Sequence, residues 1–186
     1  NFITFPALLF FLILNYKKSS WTSFLIGWSF GFGYFISNLY WITNSLTFEE
    51  MFKPLIPFAL ILIPLFLGTF YGLVTLICSF FNLKKNFSTI IIFALIFSII
   101  EFIRGFIWGG FPWNLIVYSW TDYLYSLQIL SFIGTYAFNL ISITIFSIPI
   151  FFFFKKNFKQ KIFLILLLLL ILVCNNFFGY QKIKTD

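Results

Sequence analysis

The sequence predicts an all-α fold: a polytopic transmembrane helix bundle of about six spans, with a Gly/Phe/Pro/Trp loop at the membrane interface. Two observations carry this. Hydrophobic residues make up 61% of the 186 residues and charged ones only 9%, against about 25% charged in soluble domains, whose wet surface requires them. Apolar runs recur at roughly the length of a membrane span, and lysines gather in the short breaks between them. A chain so poor in charge cannot coat a globule in water. Lipid is the solvent that suits it, and helices are the way its backbone is satisfied there.

The expected spans follow in order. Residues 2–14 are apolar and end at Asn15-Tyr16-Lys17-Lys18, short for a full crossing. Residues 21–42 make a second span, with Trp21, Tyr40 and Trp41 placed like interfacial belt residues. A polar connection bearing Glu49, Glu50 and Lys53 leads to 54–81, where Pro57 and Pro64 are tolerable if neighbours satisfy the backbone. Lys84-Lys85-Asn86 breaks the pattern before 88–108. The sequence from Gly109 to Trp113 cannot continue a helix cleanly, since proline lacks a donor and glycine is permissive. Leu115 to Asp122 is amphipathic and aromatic. Spans at 125–154 and 162–178 complete the domain 1–178, and 179–186 is expected to leave the membrane as a polar tail.

The net charge of +7 reads as membrane orientation rather than nucleic-acid binding, because of where the lysines fall. Connections alternate sides, so Lys17, Lys18, Lys84, Lys85, Lys155, Lys156, Lys159 and Lys161 share one face of the membrane. Only Lys53, Arg104, Lys182 and Lys184 fall on the other. The positive-inside bias puts the richer side in the cytoplasm, and the Glu49 connection, the Gly109–Trp113 loop and the tail outside.

Residue types exclude some chemistry. With no histidine, neither a Ser-His-Asp triad nor the zinc-protease helix motif is available. Cys78 and Cys174 each stand alone in an apolar run, which fits small hydrophobes rather than a disulfide or a metal site. Gly27-x-x-x-Gly31, with Gly33, offers a small-residue stripe for close helix packing. Gly134 with Asn139 is read similarly, and Asn139 needs a hydrogen bond inside the bundle.

The informative stretch is Glu101-Phe102-Ile103-Arg104-Gly105, followed by Gly110-Phe111-Pro112-Trp113. Glu101 and Arg104, three apart, share a helix face and can pair. Counted from Ser88, Glu101 lies about 20 Å along its span, toward the outer interface. Ionisable residues at such depth cost about 2.5–3.5 kcal/mol each on insertion scales. Two readings stay open: a packing salt bridge, or a site that orients a lipid headgroup or an attached domain. The Gly-Phe-Pro-Trp turn would anchor its aromatics at headgroup depth, with glycine amides open to a phosphate or carbonyl.

Those residues, with Tyr118-Ser119, Gly134-Thr-Tyr-Ala-Phe-Asn139 and the earlier Gly27-Trp-Ser-Phe-Gly31-Phe-Gly33, resemble the membrane domain of the apolipoprotein N-acyltransferases. Val117 and Trp120 stand where that family more often has Gly and Gln. The resemblance implies eight spans in the bacterial inner membrane, with a nitrilase-like catalytic domain on the periplasmic side before the last. The charge bias fits spans two to seven, so the reading frame is expected to continue past Asp186 into that domain. The implied reaction moves an acyl chain from a phospholipid donor, through a cysteine thioester, to the amino group of a diacylglyceryl-modified apolipoprotein cysteine. Its Glu-Lys-Cys triad belongs to the further domain, and neither Cys78 nor Cys174 matches the nucleophile, so no catalytic residue is expected in this chain. Its part would be to hold the catalytic domain and admit lipids sideways from the bilayer. Glu101, Arg104, Gly110, Phe111, Pro112, Trp113 and Tyr118 are the candidate substrate-binding or docking residues. No cofactor, metal or nucleic-acid partner is expected. The rival reading is a small transporter or channel subunit, but no internal repeat is visible and the charges lie toward one face rather than the midplane. The same membrane domain fused to a sugar-transferring partner is the third.

Overall fold

A computed structural model of the chain describes residues 4–5, 7–9, 19–81, 83, 87–107, 110–153 and 158–185. The described residues form helices and turns and no strand, so the all-α expectation holds. The helices are α1 (Ser20–Asn38), α2 (Ile56–Ser79), α3 (Phe87–Arg104), the short α4 (Leu124–Leu127) and α5 (Leu130–Ile133), α6 (Thr135–Ser147) and α7 (Phe158–Thr185). The chain divides into two compact units. One comprises 10–83 and 99–114; the other comprises 1–9, 84–98 and 115–186.

In the first unit, Ser19 caps α1 by accepting from the Trp21 amide, which satisfies one of the helix's open donors. Tyr40–Thr47 and Glu50–Leu55 are 3-10 turns leading to α2, whose first turn holds Pro57, where a missing donor costs nothing. An ion pair joins Lys53 and Glu50 in this connection. Helices α1 and α2 cross closely because glycines face each other. A Cβ built on Gly31 would lie 2.8 Å from Tyr71 Cβ and 3.0 Å from Gly68 Cα, and one on Gly68 would lie 3.1 Å from the Trp28 carbonyl oxygen. Close approach lets Thr75 Oγ1 donate to the Ser23 carbonyl at 2.7 Å, and Trp28 Nε1 to the Leu65 carbonyl at 3.2 Å. Lipid supplies no hydrophobic drive between spans, so contact packing and such bonds hold helices together. The expected glycine stripe is real, with one correction: Gly33 is exposed, and a Cβ there would meet nothing within 4 Å.

In the second unit, Phe5 packs against Phe93, Phe97 and Phe146. Asn139 finds its bond: its Oδ1 accepts from the Val117 amide at 2.9 Å. Trp120 is buried, stacks on Phe146 and donates to Ser142 Oγ at 2.9 Å. The two positions that depart from the family pattern are therefore both housed. Gly134 does not serve close packing, which corrects that expectation. Its φ of +79° breaks the helix between α5 and α6, and a Cβ there would meet nothing within 4 Å. With a further break at Gln128–Ile129, the apolar stretch expected as one continuous span, 125–154, is a series of short helices followed by the 3-10 turn Ile148–Phe153. Helix α7 carries Asn175, whose Nδ2 donates to the Ser126 carbonyl at 3.1 Å, and runs on through the 179–185 stretch expected to be a tail.

Among the described residues, three helices are long and apolar enough to cross a membrane: Glu50–Ser79, Phe87–Arg104 and Ile165–Lys184. Helix α1 is long enough but less apolar, diluted by its glycines and serines, of which Ser23, Gly27 and Gly31 lie on its buried face. The expected first span, 2–14, falls largely outside the described residues, as do Lys17, Lys18, Lys84, Lys85, Gly109, Lys155 and Lys156.

Candidate functional site

The sequence places Glu101 and Arg104 on one face of the last turn of α3, and the fold buries both, at 0% and 1% side-chain exposure. Charge at such a place requires partners. Arg104 Nη2 lies 3.5 Å from Glu101 Oε1, a contact more Coulombic than hydrogen-bonded. Its Nη1 makes two better bonds, 3.0 Å to the Phe111 carbonyl and 3.0 Å to the Trp113 carbonyl. The guanidinium also lies 5.3 Å from the centroid of the Phe35 ring and 6.0 Å from that of Phe111, near enough for cation–π attraction.

The loop thus folds around the arginine. Gly105 closes α3 by donating to the Glu101 and Phe102 carbonyls, and the Phe111 amide returns to the Arg104 carbonyl at 3.1 Å. Gly110 takes φ +79°, a conformation where a side chain would be strained, and a Cβ there would press on the Gly105 carbonyl. Asn114, at φ 56°, is the described non-glycine residue in the left-handed region, which asparagine tolerates better than most. Its Nδ2 donates to the Asn38 carbonyl and its own carbonyl accepts from Tyr34 Oη, each at 3.2 Å.

Six of the seven candidate residues, Glu101, Arg104, Gly110, Phe111, Pro112 and Trp113, come together in this arrangement. Tyr118 belongs to the other unit, on the 3-10 turn Ile116–Trp120, and is 41% exposed. Trp113 is 54% exposed and meets Trp41 edge to face, 6.0 Å between centroids. An apolar groove of about 260 Å³ opens beside the loop, lined by Phe66, Leu67 and Phe70 of α2 and by Ile107, Gly110 and Phe111, with Arg104 in its wall.

Sequence reasoning missed two residues. Tyr71 Oη donates to Glu101 Oε1 at 3.0 Å, and Tyr34 reaches Asn114. The signal was there. A tyrosine inside an apolar span must place its hydroxyl somewhere, and Gly68, three residues before Tyr71, marks the close helix crossing. No group of three or more potential metal ligands occurs among the described residues. Cys78 is buried and Cys174 exposed, both as free thiols.

An apolar helical chain with three described helices long and apolar enough to cross a membrane is an integral membrane domain, here with an aromatic loop folded on a buried ion pair. Comparison with known proteins makes this specific. The family model for the apolipoprotein N-acyltransferase N-terminal domain matches residues 1–148, and the chain belongs to that family. It is 38% identical over 125 residues to the apolipoprotein N-acyltransferase of Sinorhizobium medicae (strain WSM419), covering 67% of this chain and 23% of that one. For the enzyme of Rhizobium meliloti (strain 1021), the figures are 36% over 125 residues, again 67% and 23%. For that of Allorhizobium ampelinum they are 32% over 136 residues, 73% and 26%. The chain therefore spans about a quarter of the length of the curated relatives it matches.

Proposed function

We propose that the protein carrying this domain transfers an acyl chain from a phospholipid to the amino-terminal diacylglyceryl-cysteine of apolipoproteins, and that this domain holds the catalytic part and admits the lipids. Family membership supports the reaction class. The observation that carries this domain's share is the loop Gly110–Asn114, pinned from inside by Arg104, with Gly110 and Phe111 lining an apolar groove and Trp113 exposed. Glu101 and Arg104 serve that role from within, since their side chains are buried under the loop. Gly110, Phe111, Pro112 and Trp113 form the lip past which an acyl chain enters, and Tyr118 is a further contact candidate. Chemistry itself requires an activated cysteine and oxyanion donors supplied outside these residues.

The test is direct. The full-length protein, reconstituted with a phospholipid labelled in its acyl chains and a diacylglyceryl lipopeptide, is expected to move label to the peptide's amino group. Label that stays wholly on phospholipid overturns the reading.

In this reading, domain 1–178 crosses the bacterial inner membrane in six spans, with lysine-rich connections in the cytoplasm and the 179–186 stretch leading to a periplasmic catalytic domain. In a cysteine-free background, Glu50→Cys is expected to react with a membrane-impermeant thiol reagent added outside, and Asn157→Cys is not. The reverse pattern inverts the topology.

A further inference from the structure

We infer that Tyr71 and Tyr34 are positioning residues: their hydroxyls, on two different helices, fix the Gly110–Asn114 loop and so hold Trp113 at one depth for a phospholipid substrate. This rests on the acyl-transfer reading above for its substrate, but the geometry stands by itself. Tyr71 is 0% exposed, and its ring is enclosed by Phe30, Tyr34 and Phe35, with centroids 6.1, 5.7 and 5.1 Å away. A phenylalanine ring would fill that space equally well. A hydroxyl there is costly unless partnered, and its partner is the Glu101 carboxylate at 3.0 Å.

From Glu101 the connection continues through charge rather than a short hydrogen bond. Glu101 faces Arg104 at 3.5 Å, and Arg104 holds the carbonyls on either side of Pro112 at 3.0 Å each. The carboxylate fixes where the guanidinium sits, and the guanidinium fixes two of the loop's peptide planes. Tyr34 acts at the loop's far end, on the carbonyl of Asn114. The loop is therefore held at three carbonyl sites: 111 and 113 by Arg104, whose neighbour Glu101 is bonded by Tyr71, and 114 by the Tyr34 hydroxyl itself. A reacting lipid misplaced by about 1 Å can cost on the order of 100-fold in rate, so a partial release of this loop is expected to cost about tenfold.

The experiment uses full-length protein in nanodiscs containing phospholipids brominated at different acyl positions. Quenching of Trp113 is read as the difference between each protein and its Trp113→Phe counterpart. Tyr71→Phe, Tyr34→Phe and the double variant delete only oxygens. All three are expected to stay folded but to melt a few °C lower, since Tyr71→Phe takes a hydrogen bond from a buried carboxylate. In each, the bromine position that best quenches Trp113 should move, and kcat/KM for the phospholipid donor should fall about tenfold. Quenching in the double variant that matches the parent overturns the proposal. So does moved quenching with an undiminished kcat/KM, because the loop's depth would then be irrelevant to substrate. If the parent protein transfers no acyl chain at all, the acyltransferase reading fails, and the quenching measurement still decides whether the tyrosines hold the loop.

Discussion

Arg104→Ala is expected to be the most damaging single change in this domain, because it breaks two kinds of interaction at once. It leaves the Glu101 carboxylate buried without its cation, and removing one partner of a buried pair typically costs about 3–5 kcal/mol. It also takes away the donor shared by the Phe111 and Trp113 carbonyls, each of which then carries a desolvation penalty of about 1–3 kcal/mol unless water or lipid headgroups reach it. Melting of the full-length protein in detergent should fall steeply, and lipoprotein acylation should drop about 100-fold or more. The double variant Glu101→Gln, Arg104→Ala separates the two effects. Removing the stranded charge should recover much of the stability. It cannot return a donor to the two carbonyls, so acylation should stay low. Arg104→Lys is an intermediate test: an ammonium keeps the charge but lacks the planar fork that serves carbonyls and carboxylate together. Full recovery of both stability and acylation in the double variant would reduce the pair to a packing salt bridge and end its claim on function.

The helical fold was legible because one physical fact dominates the composition: a chain 9% charged must satisfy its backbone internally. The pairing of Glu101 with Arg104 was legible too, since a three-residue spacing puts both on one helix face. The arginine's larger task was not. That its Nη1 points at carbonyls seven and nine residues onward depends on how Gly105 and Gly110 turn the chain back, and no periodicity encodes a returning loop. Helix continuity was not legible where a single residue overrode a long apolar run. Hydropathy sees no break at Gly134, yet its positive φ ends one helix and begins another. The glycine stripe of α1 was visible, but its partner Gly68 on α2 lies inside a run read for its length and its prolines. Tyr71 was passed over for the same reason: in a span defined by apolarity, one hydroxyl does not change the count.

The second large effect concerns that helix crossing. Gly31→Leu places a side chain where the neighbouring helix leaves no room. The first added carbon would sit 2.8 Å from Tyr71 Cβ and 3.0 Å from Gly68 Cα. These are backbone and near-backbone atoms, so the strain cannot be relieved by a rotamer change, and α1 and α2 must separate. Overpacking of a tight contact costs about 1–3 kcal/mol and sometimes more. Here the separation also lengthens the Thr75–Ser23 and Trp28–Leu65 hydrogen bonds. Because Tyr71 lies at the point of collision, its hydroxyl should withdraw from Glu101, and acylation should fall further than the loss of stability alone explains. Gly33→Leu is the matched control, two residues away on the same helix. A Cβ there meets nothing within 4 Å, and leucine is the better helix former, glycine costing roughly 0.8–1 kcal/mol relative to alanine in a helix interior. Its melting should equal or exceed that of the parent. The deciding comparison is the melting midpoint of the two variants in the same detergent. Equal destabilisation by both would mean that the change penalises bulk anywhere on α1, and the glycine-to-glycine crossing would lose its place as the support of the site.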